Sequence, residues 1–110
     1  MKIVLDESVP QKLRLLIDGG HTIVTAWYQG WSALKNGALL DAAEGAGFDL
    51  FITADQEMLY QQNLAGRKIA LGVLSTNNWI FIKASIRRVI VAVEAATPGS
   101  YTEVEIPTVM

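Results

Sequence analysis

The sequence predicts an α/β domain: a three-layer sandwich in which a mainly parallel four-stranded sheet carries helices on both faces. Short apolar runs rich in valine and isoleucine alternate along the chain with segments of helical periodicity. The runs show little strict polar–apolar alternation, which is typical of strands buried on both faces of a parallel sheet. With the second strand on one side of the first and the third and fourth on the other, the spatial order is 2-1-3-4.

The strands and helices follow from local signals. Ser8 and Gln11 predict a capping box for the first helix, which Gly19 and Gly20 would end. Asn36 is the predicted start of the second helix. The predicted strands are Lys2–Leu5, Thr22–Thr25, Asp49–Thr53 and Ile69–Leu74, with Tyr101–Ile106 as a late edge strand. The third and fourth helices are predicted over Gln56–Leu64 and Trp79–Ala96.

The composition indicates one folded domain over residues 1–110. Apolar residues make up 51% of the chain and charged residues 18%, which excludes a disordered chain. Nine basic against eleven acidic residues give a net charge of −2, so any nucleic-acid binding would need a local basic patch. The absence of cysteine excludes thiolate metal sites, and a single histidine argues against a Ser-His-Asp triad. With no apolar run near the roughly 20 residues that span a bilayer, and with early acidic residues that argue against a signal peptide, we expect a cytoplasmic protein.

Acidic residues follow two of the predicted strands. Asp6 and Glu7 come directly after the first strand, and Asp55 and Glu57 follow the third. Ligands of open α/β sheets bind at the carboxyl ends of the strands where the strand order reverses, which here lies between these two strands. Neighbouring strands are about 4.8 Å apart, so Asp6 and Asp55 are candidates to share one Mg²⁺ or Mn²⁺ ion. Alternatively, each acid caps the helix that follows it, but the convergence of two strand ends favours a site.

Several segments resemble the PIN-like domain family over roughly residues 1–75. They are KIVLDESVP with its Leu5-Asp6-Glu7-Ser8, Gly20-His21, the segment from Gly30 to Gly37, FITADQE with Thr53 to Glu57, and Tyr60 to Asn63. Active PIN domains are metal-dependent ribonucleases, and many are toxins of toxin–antitoxin pairs. The resemblance therefore implies a ribonuclease that acts on single-stranded RNA, with Asp6 and Asp55 as metal ligands and Glu57 where a further acid is common.

One position departs from the family pattern. Related proteins usually carry an acid at the start of the second helix, where this chain has Lys35 and Asn36. Asn36 offers only a neutral carbonyl oxygen to a metal, and Asp41 one turn later is a candidate substitute. Lys35 is a candidate to neutralise phosphate charge. In the implied metal-assisted hydrolysis, Glu7 or Glu57 would be a second ligand or the base that orients water.

Other residues near the same edge have two interpretations each. Ser75 and Thr76 end the fourth strand and would either bond a phosphate or metal-bound water, or cap the next helix. Trp27 and Tyr28 after the second strand would either stack on unpaired bases or pack on the core, whereas packing is favoured for Trp31.

The last helix is apolar outside its core-facing stripe, at Phe81, Ile90 and Val91 as well as Ile80. A helix that is apolar on most sides is usually covered by something else. The pattern predicts a homodimer or a small protein partner.

Two further functions compete with the nuclease. A receiver-type phosphoacceptor also carries paired acids after its first strand and an aspartate after its third, comparable to Asp55. It normally adds a lysine after a fifth parallel strand, and Thr97–Met110 contains no lysine. The other alternative is a PIN-like interaction module whose catalytic site has decayed, which the missing third acid and the low basic charge favour.

Overall fold

Five apolar segments form one parallel sheet in the computed structural model, which describes residues 1–17, 19–34, 36–58, 64 and 66–108. The order across the sheet is β2-β1-β3-β4-β5, and every neighbouring pair is parallel. The strands are β1 (Lys2–Leu5), β2 (Thr22–Thr25), β3 (Leu50–Thr53), β4 (Ala70–Leu74) and β5 (Tyr101–Val104). The α/β class and the order of the first four strands are therefore confirmed.

The predicted number of four strands is wrong, because the late segment is a full member of the sheet. β5 pairs with β4 from Leu71 opposite Tyr101 to Leu74 opposite Val104. Beyond the strands, the backbone N–H of Ile106 donates to the Ser75 hydroxyl at 2.8 Å, which joins the two strand ends. β5 is thus an edge of the sheet, and β4 is buried along its whole length.

Helical segments cover both faces of the sheet. They are a 3₁₀ helix (Gln11–Leu15), α1 (Asn36–Gly45), α2 (Trp79–Ala84) and α3 (Ile86–Ala95). Within the described ranges, none is long and apolar enough to cross a membrane.

Alternate residues of the central strands β1, β3 and β4 enter two separate cores, because successive side chains of a strand point to opposite faces. On one face, Ile3, Leu5 and Ile52 pack with Leu13 of the 3₁₀ helix and with Val89 of α3. On the other face, Val4, Phe51 and Val73 pack with Leu39, Leu40 and Ala43 of α1. Burial on both faces explains why the strands are continuous apolar runs.

The first predicted helix is only one 3₁₀ segment, and the predicted capping box is wrong. Pro10 occupies the N-cap position of this segment and makes no capping bond through its side chain. The Ser8 hydroxyl donates instead to the Asp6 carboxylate at 2.8 Å. A hydrogen bond to a charged acceptor is stronger than a bond between neutral groups, which accounts for this choice of partner.

The predicted fourth helix is two helices that meet at Ser85. Ser85 has φ −116° and ψ 28°, and its N–H is shared between the carbonyls of Phe81 and Ile82, each at 3.1 Å. The serine side chain competes for backbone hydrogen-bond partners, so serine disfavours the interior of a continuous helix. Ile82, Val89 and Val93 are still buried on one face, so the break leaves the core-facing stripe intact.

Most of the third predicted helix, residues 59–63, lies outside the described residues. In the part that is described, Gln56 and Glu57 form a turn and Met58 is helical. The Gln56 side-chain amide donates to the carbonyl of Leu74 at 2.6 Å and so fastens the segment after β3 to the end of β4.

Gly99 precedes β5 in a conformation that requires glycine. Its φ is +74°, and a Cβ atom there would lie 2.9 Å from the carbonyl oxygen of Arg67. We expect Gly99→Ala to lower the free energy of unfolding by about 2–3 kcal/mol, from left-handed strain plus backbone overlap. Gly20 has φ +78° with open space around it, so Gly20→Ala isolates the strain and should lower it by about 1 kcal/mol. Urea unfolding of both variants measures the difference, and equal losses would show that the overlap is relieved.

Candidate functional site

The carboxyl ends of β1 and β3 meet at the centre of one edge of the sheet. Leu5 of β1 lies opposite Ile52 of β3, and the N–H of Asp6 donates to the Ile52 carbonyl at 2.9 Å. The first residue after β1 is therefore fixed beside Thr53, the last residue of β3. This is the point where the strand order reverses, as the sequence predicted.

Two hydroxyl groups hold the Asp6 carboxylate. The Thr53 hydroxyl donates to Asp6 Oδ2 at 2.7 Å, and the Ser8 hydroxyl donates to the same oxygen at 2.8 Å. Thr53 is fully buried and Asp6 is half-buried, so these are charge-assisted bonds in a partly dry environment. Both bonds use one carboxylate oxygen, and the other accepts no hydrogen bond from the described residues.

The same two hydroxyls also fix the segment after β3. The Ser8 oxygen accepts the N–H of Ala54 at 2.9 Å, and the Thr53 oxygen accepts the N–H of Asp55 at 3.0 Å. The two hydroxyl oxygens lie 3.2 Å apart. One compact network therefore sets the position of Asp6 and of the backbone that carries Asp55.

Asp55 is positioned by its own turn. Its Oδ1 accepts the N–H of Glu57 at 3.0 Å, and its carbonyl accepts the N–H of Met58 at 3.1 Å. The capping alternative thus describes one oxygen of Asp55, Oδ1, which accepts the N–H of Glu57. It does not describe Asp6, whose partners are hydroxyls.

Asp6 and Asp55 line one cleft of about 320 Å³. Glu7 and Glu57, both exposed, line the same cleft. Its other walls are Ser32, Leu34, Leu39, Phe51 and Met58. We refer to it as the acidic cleft. Four carboxylates beside apolar walls make a negative field that attracts cations, and the low dielectric of those walls strengthens it.

The donor set of the acidic cleft fits Mg²⁺ or Mn²⁺ better than a soft metal, because its four charged side chains are all carboxylates. Among the described residues, no three acidic or histidine side chains form a group that could hold a metal ion alone. Mg²⁺ commonly binds one or two carboxylates and completes its shell with water and substrate phosphate. Asp6 and Asp55 contribute two carboxylates to the same cleft.

The structure places the remaining candidates away from the acidic cleft or does not describe them. Asp41 forms a 2.7 Å salt bridge with Arg67. The Ser75 hydroxyl accepts the N–H of Ile106, and the Thr76 hydroxyl accepts the N–H of Asn78 at 3.1 Å. Lys35 and the side chain of Asn36 lie outside the described residues. Of the predicted neighbours, the three that the structure describes, Asp41, Ser75 and Thr76, therefore do not line the acidic cleft.

Sequence reasoning missed the two hydroxyls that organise the site. Ser8 matches a capping pattern and Thr53 ends a predicted strand, and although both also belong to the family-like motifs, the sequence assigns neither hydroxyl a role in the site. A hydroxyl on the last residue of a buried strand, directly before an acid-bearing loop, is the signal that identifies Thr53. A buried hydroxyl needs a partner, and the facing acid is the nearest strong acceptor.

The aromatic residues after β2 are of two kinds, one packed and two exposed. Trp31 packs edge-on against Phe48, with ring centroids 5.8 Å apart and planes at 79°, so its predicted packing role is confirmed. Trp27 and Tyr28 are 65% and 75% exposed. Trp27 also lines a second cleft of about 220 Å³ that shares Asp6 and Glu7 with the acidic cleft.

Comparison with known proteins found no matching family model, no similar curated protein and no similar solved structure.

The Thr53 hydroxyl is expected to contribute to stability as well as to geometry. Thr53→Val replaces it by a methyl group of similar size, which leaves the N–H of Asp55 without its acceptor. We expect a loss of about 1–3 kcal/mol in the free energy of unfolding, the range for an unsatisfied buried group. Thr22→Val, on the exposed edge of β2, is the matched control and should change it by less than about 0.5 kcal/mol. Equal urea midpoints for the two variants would contradict a central role for this network.

Proposed function

We propose that the protein is a PIN-like, divalent-metal-dependent ribonuclease that hydrolyses phosphodiester bonds in single-stranded RNA. The observation that carries the proposal is the acidic cleft, where Asp6 and Asp55 from two adjacent strand ends line one hollow together with Glu7 and Glu57. The resemblance of the same segments to PIN-like domains supports it, as do the four carboxylates of the cleft. A cytoplasmic setting and a toxin–antitoxin role belong to this proposal.

Each acidic residue has a distinct role in the proposal. Asp6 and Asp55 hold the metal ion, and the Ser8 and Thr53 hydroxyls keep the Asp6 carboxylate turned so that one oxygen stays available. A bound Mg²⁺ or Mn²⁺ supplies a polarised phosphoryl oxygen and a more acidic water. Glu7 or Glu57, both exposed at the cleft, accepts the proton of the attacking water or adds a ligand.

The acids alone are a poor anchor for RNA, because their charge repels phosphate. The metal ion offsets that repulsion. RNA should therefore bind the metal-loaded protein more tightly than the free protein, and the metal should bind the RNA complex more tightly than the free protein. We expect this coupling between metal binding and RNA binding because the protein offers few ligands, so that a phosphate oxygen of the RNA would fill an open coordination position of the metal.

Asp6→Asn and Asp55→Asn are expected to abolish Mn²⁺-dependent cleavage of single-stranded RNA. Each substitution removes the charge of one metal ligand while keeping the shape of the side chain. We expect the rate to fall at least about a hundredfold, because a catalytic metal supplies several kcal/mol of charge stabilisation. Cleavage of a labelled single strand, with and without EDTA, measures activity, and calorimetric titration with Mn²⁺ measures metal binding.

Glu94→Gln is the control for that experiment, because Glu94 is an exposed acid on α3. It should keep both activity and metal binding. Full activity in either aspartate variant, or cleavage by the wild type in EDTA, would rule out the proposal. Labelling of Asp55 by acetyl phosphate without RNA cleavage would favour the receiver-type phosphoacceptor instead.

A self-associating module is the second candidate, favoured by a groove between α3 and β5. The groove has a volume of about 450 Å³, and its apolar lining includes Val91, Ala92 and Val104. Val91 is 62% exposed, and Ile80 on α2 is 68% exposed. Of the other residues predicted to meet a partner, Phe81 and Ile90 are half-buried, and Phe81 packs against the core.

The charges along this groove fit a second copy of the chain. Arg87 and Arg88 line its α3 side, and Glu103 and Glu105 line its β5 side. Within the described residues, none of these four side chains forms a salt bridge. A two-fold axis parallel to the groove would set the arginines of one copy against the glutamates of the other, as an isologous interface requires.

Self-association is expected at protein concentrations on the order of tens of micromolar, the range of weak complexes. Arg87→Glu and Glu103→Arg should each shift the protein to monomer by placing like charges in contact, whereas an equimolar mixture of the two should associate again. Lys12→Glu, a charge reversal on the exposed side of the 3₁₀ helix, is the control and should not change the assembly state. Sedimentation velocity measures the wild type, the three variants and the mixture, and a wild type that remains monomeric would exclude this interface.

A further inference from the structure

Two large aromatic side chains are exposed beside the acidic cleft. Trp27 and Tyr28 lie in the turn after β2, with exposed fractions of 65% and 75%. Aromatic rings of this size usually bury most of their surface, and an adjacent exposed pair is unfavourable in water. Their exposure therefore needs a reason other than packing.

The turn that carries these rings is well fixed. Ala26 is buried, and its N–H donates to the carbonyl of Leu5 at 2.8 Å, so the turn starts at the end of β1. The N–H of Tyr28 donates to the Thr25 hydroxyl at 3.1 Å, and the N–H of Gly30 donates to the Trp27 carbonyl at 3.0 Å. The backbone thus holds both rings at the surface, which lowers the entropy lost when a ligand contacts them.

Three clefts lead from the acidic residues to these aromatics. The acidic cleft shares Asp6 and Glu7 with the second cleft. The second cleft shares Gln11, Thr25 and Trp27 with a third cleft of about 460 Å³. The third cleft adds Arg14 and Tyr28 to its lining. Shared walls make these clefts one continuous surface path, with carboxylates at one end and an arginine with two aromatic rings at the other.

We propose that the third cleft is a subsite for one unpaired nucleotide of the RNA strand. The base stacks on Trp27, which lines both the second and the third cleft, and Arg14 binds a phosphate next to it. This inference rests on the proposed function, because it assumes that the strand continues from this subsite into the acidic cleft. Exposed aromatic faces accept any base, so the subsite selects single strands over duplexes and has little sequence preference.

The negative charge of the protein explains why RNA binding would need such a subsite. The protein has a net charge of −2, and the proposed reaction centre is lined by four acids. A nucleic-acid strand must therefore gain its affinity from contacts away from the reacting phosphate. Stacking on a neutral ring supplies affinity that negative charge does not weaken, and Arg14 supplies a local positive charge.

Binding of a single-stranded RNA of about ten nucleotides, within the usual range of single-strand sites, tests the subsite in EDTA, where cleavage is absent. We expect Trp27→Ala to weaken binding about tenfold and Trp27→Phe to keep it within about threefold, because phenylalanine retains a stacking face. Arg14→Ala should reduce the slope of log K against log salt by about 0.7, the value for one phosphate contact on a single strand. Fluorescence anisotropy of end-labelled RNA measures each constant.

Lys83→Ala, which removes an exposed basic side chain from α2, is the control and should leave binding and its salt dependence unchanged. Duplex RNA of the same length should compete poorly. Equal affinities for wild type and Trp27→Ala, or equal salt slopes for wild type and Arg14→Ala, would overturn the subsite.

The two proposals fail in different ways. If wild type cleaves RNA with Mn²⁺ and Trp27→Ala does so with unchanged kcat and KM, the subsite is wrong and the nuclease stands. If RNA binds through Trp27 and Arg14 but is not cleaved with any metal, the nuclease is wrong and the third cleft remains an RNA-binding site.

Discussion

The bonds from Ser8 and Thr53 to the Asp6 carboxylate are the constraint on which the candidate site depends. Each hydroxyl donates to the acid and accepts a backbone N–H from the segment after β3. Two small side chains thereby join the loops that follow two strands, and they do so with charge-assisted bonds at a fully buried residue. Without them, an acidic loop next to another acidic loop would be driven apart by repulsion.

This network also explains how a site with few ligands keeps a defined geometry. Both hydroxyls bind the same oxygen of Asp6, so the carboxylate has one fixed and one available oxygen. Asp55 is arranged in a similar way, because the turn bond to Glu57 uses Oδ1. The proposed metal site would need such supporting bonds to orient its ligands, and the protein supplies them.

The sequence predicted much of the fold because the strands are buried on both faces and therefore form unbroken apolar runs. The same argument placed Asp6 and Asp55 at one edge, since parallel strands end together. What escaped prediction depends on contacts between distant residues. Ser8 sits at a position where a capping hydroxyl is normal, and only the arrival of Thr53 from β3 reveals its actual partner. The break at Ser85 has the same origin: helical periodicity continues across it, and only the backbone geometry shows that two helices meet there. The late strand was predicted as an edge strand, and it lies at an edge of the sheet. Its alternating pattern does not reveal that it joins β4, so the five-stranded sheet was not predicted.

β5 covers the edge of β4 that no other strand pairs with. β4 consists of Ala70, Leu71, Gly72, Val73 and Leu74, all buried, and one of its two edges is covered by β5 alone among the strands. During synthesis on the ribosome, this apolar strand emerges well before residues 101–104 are available to cover it. An uncovered apolar strand edge is a template for pairing with other chains, so nascent or truncated forms should be prone to aggregation. A short edge strand with one exposed glutamate, Glu103, thus keeps the most apolar strand of the sheet from pairing with other chains in a crowded cell.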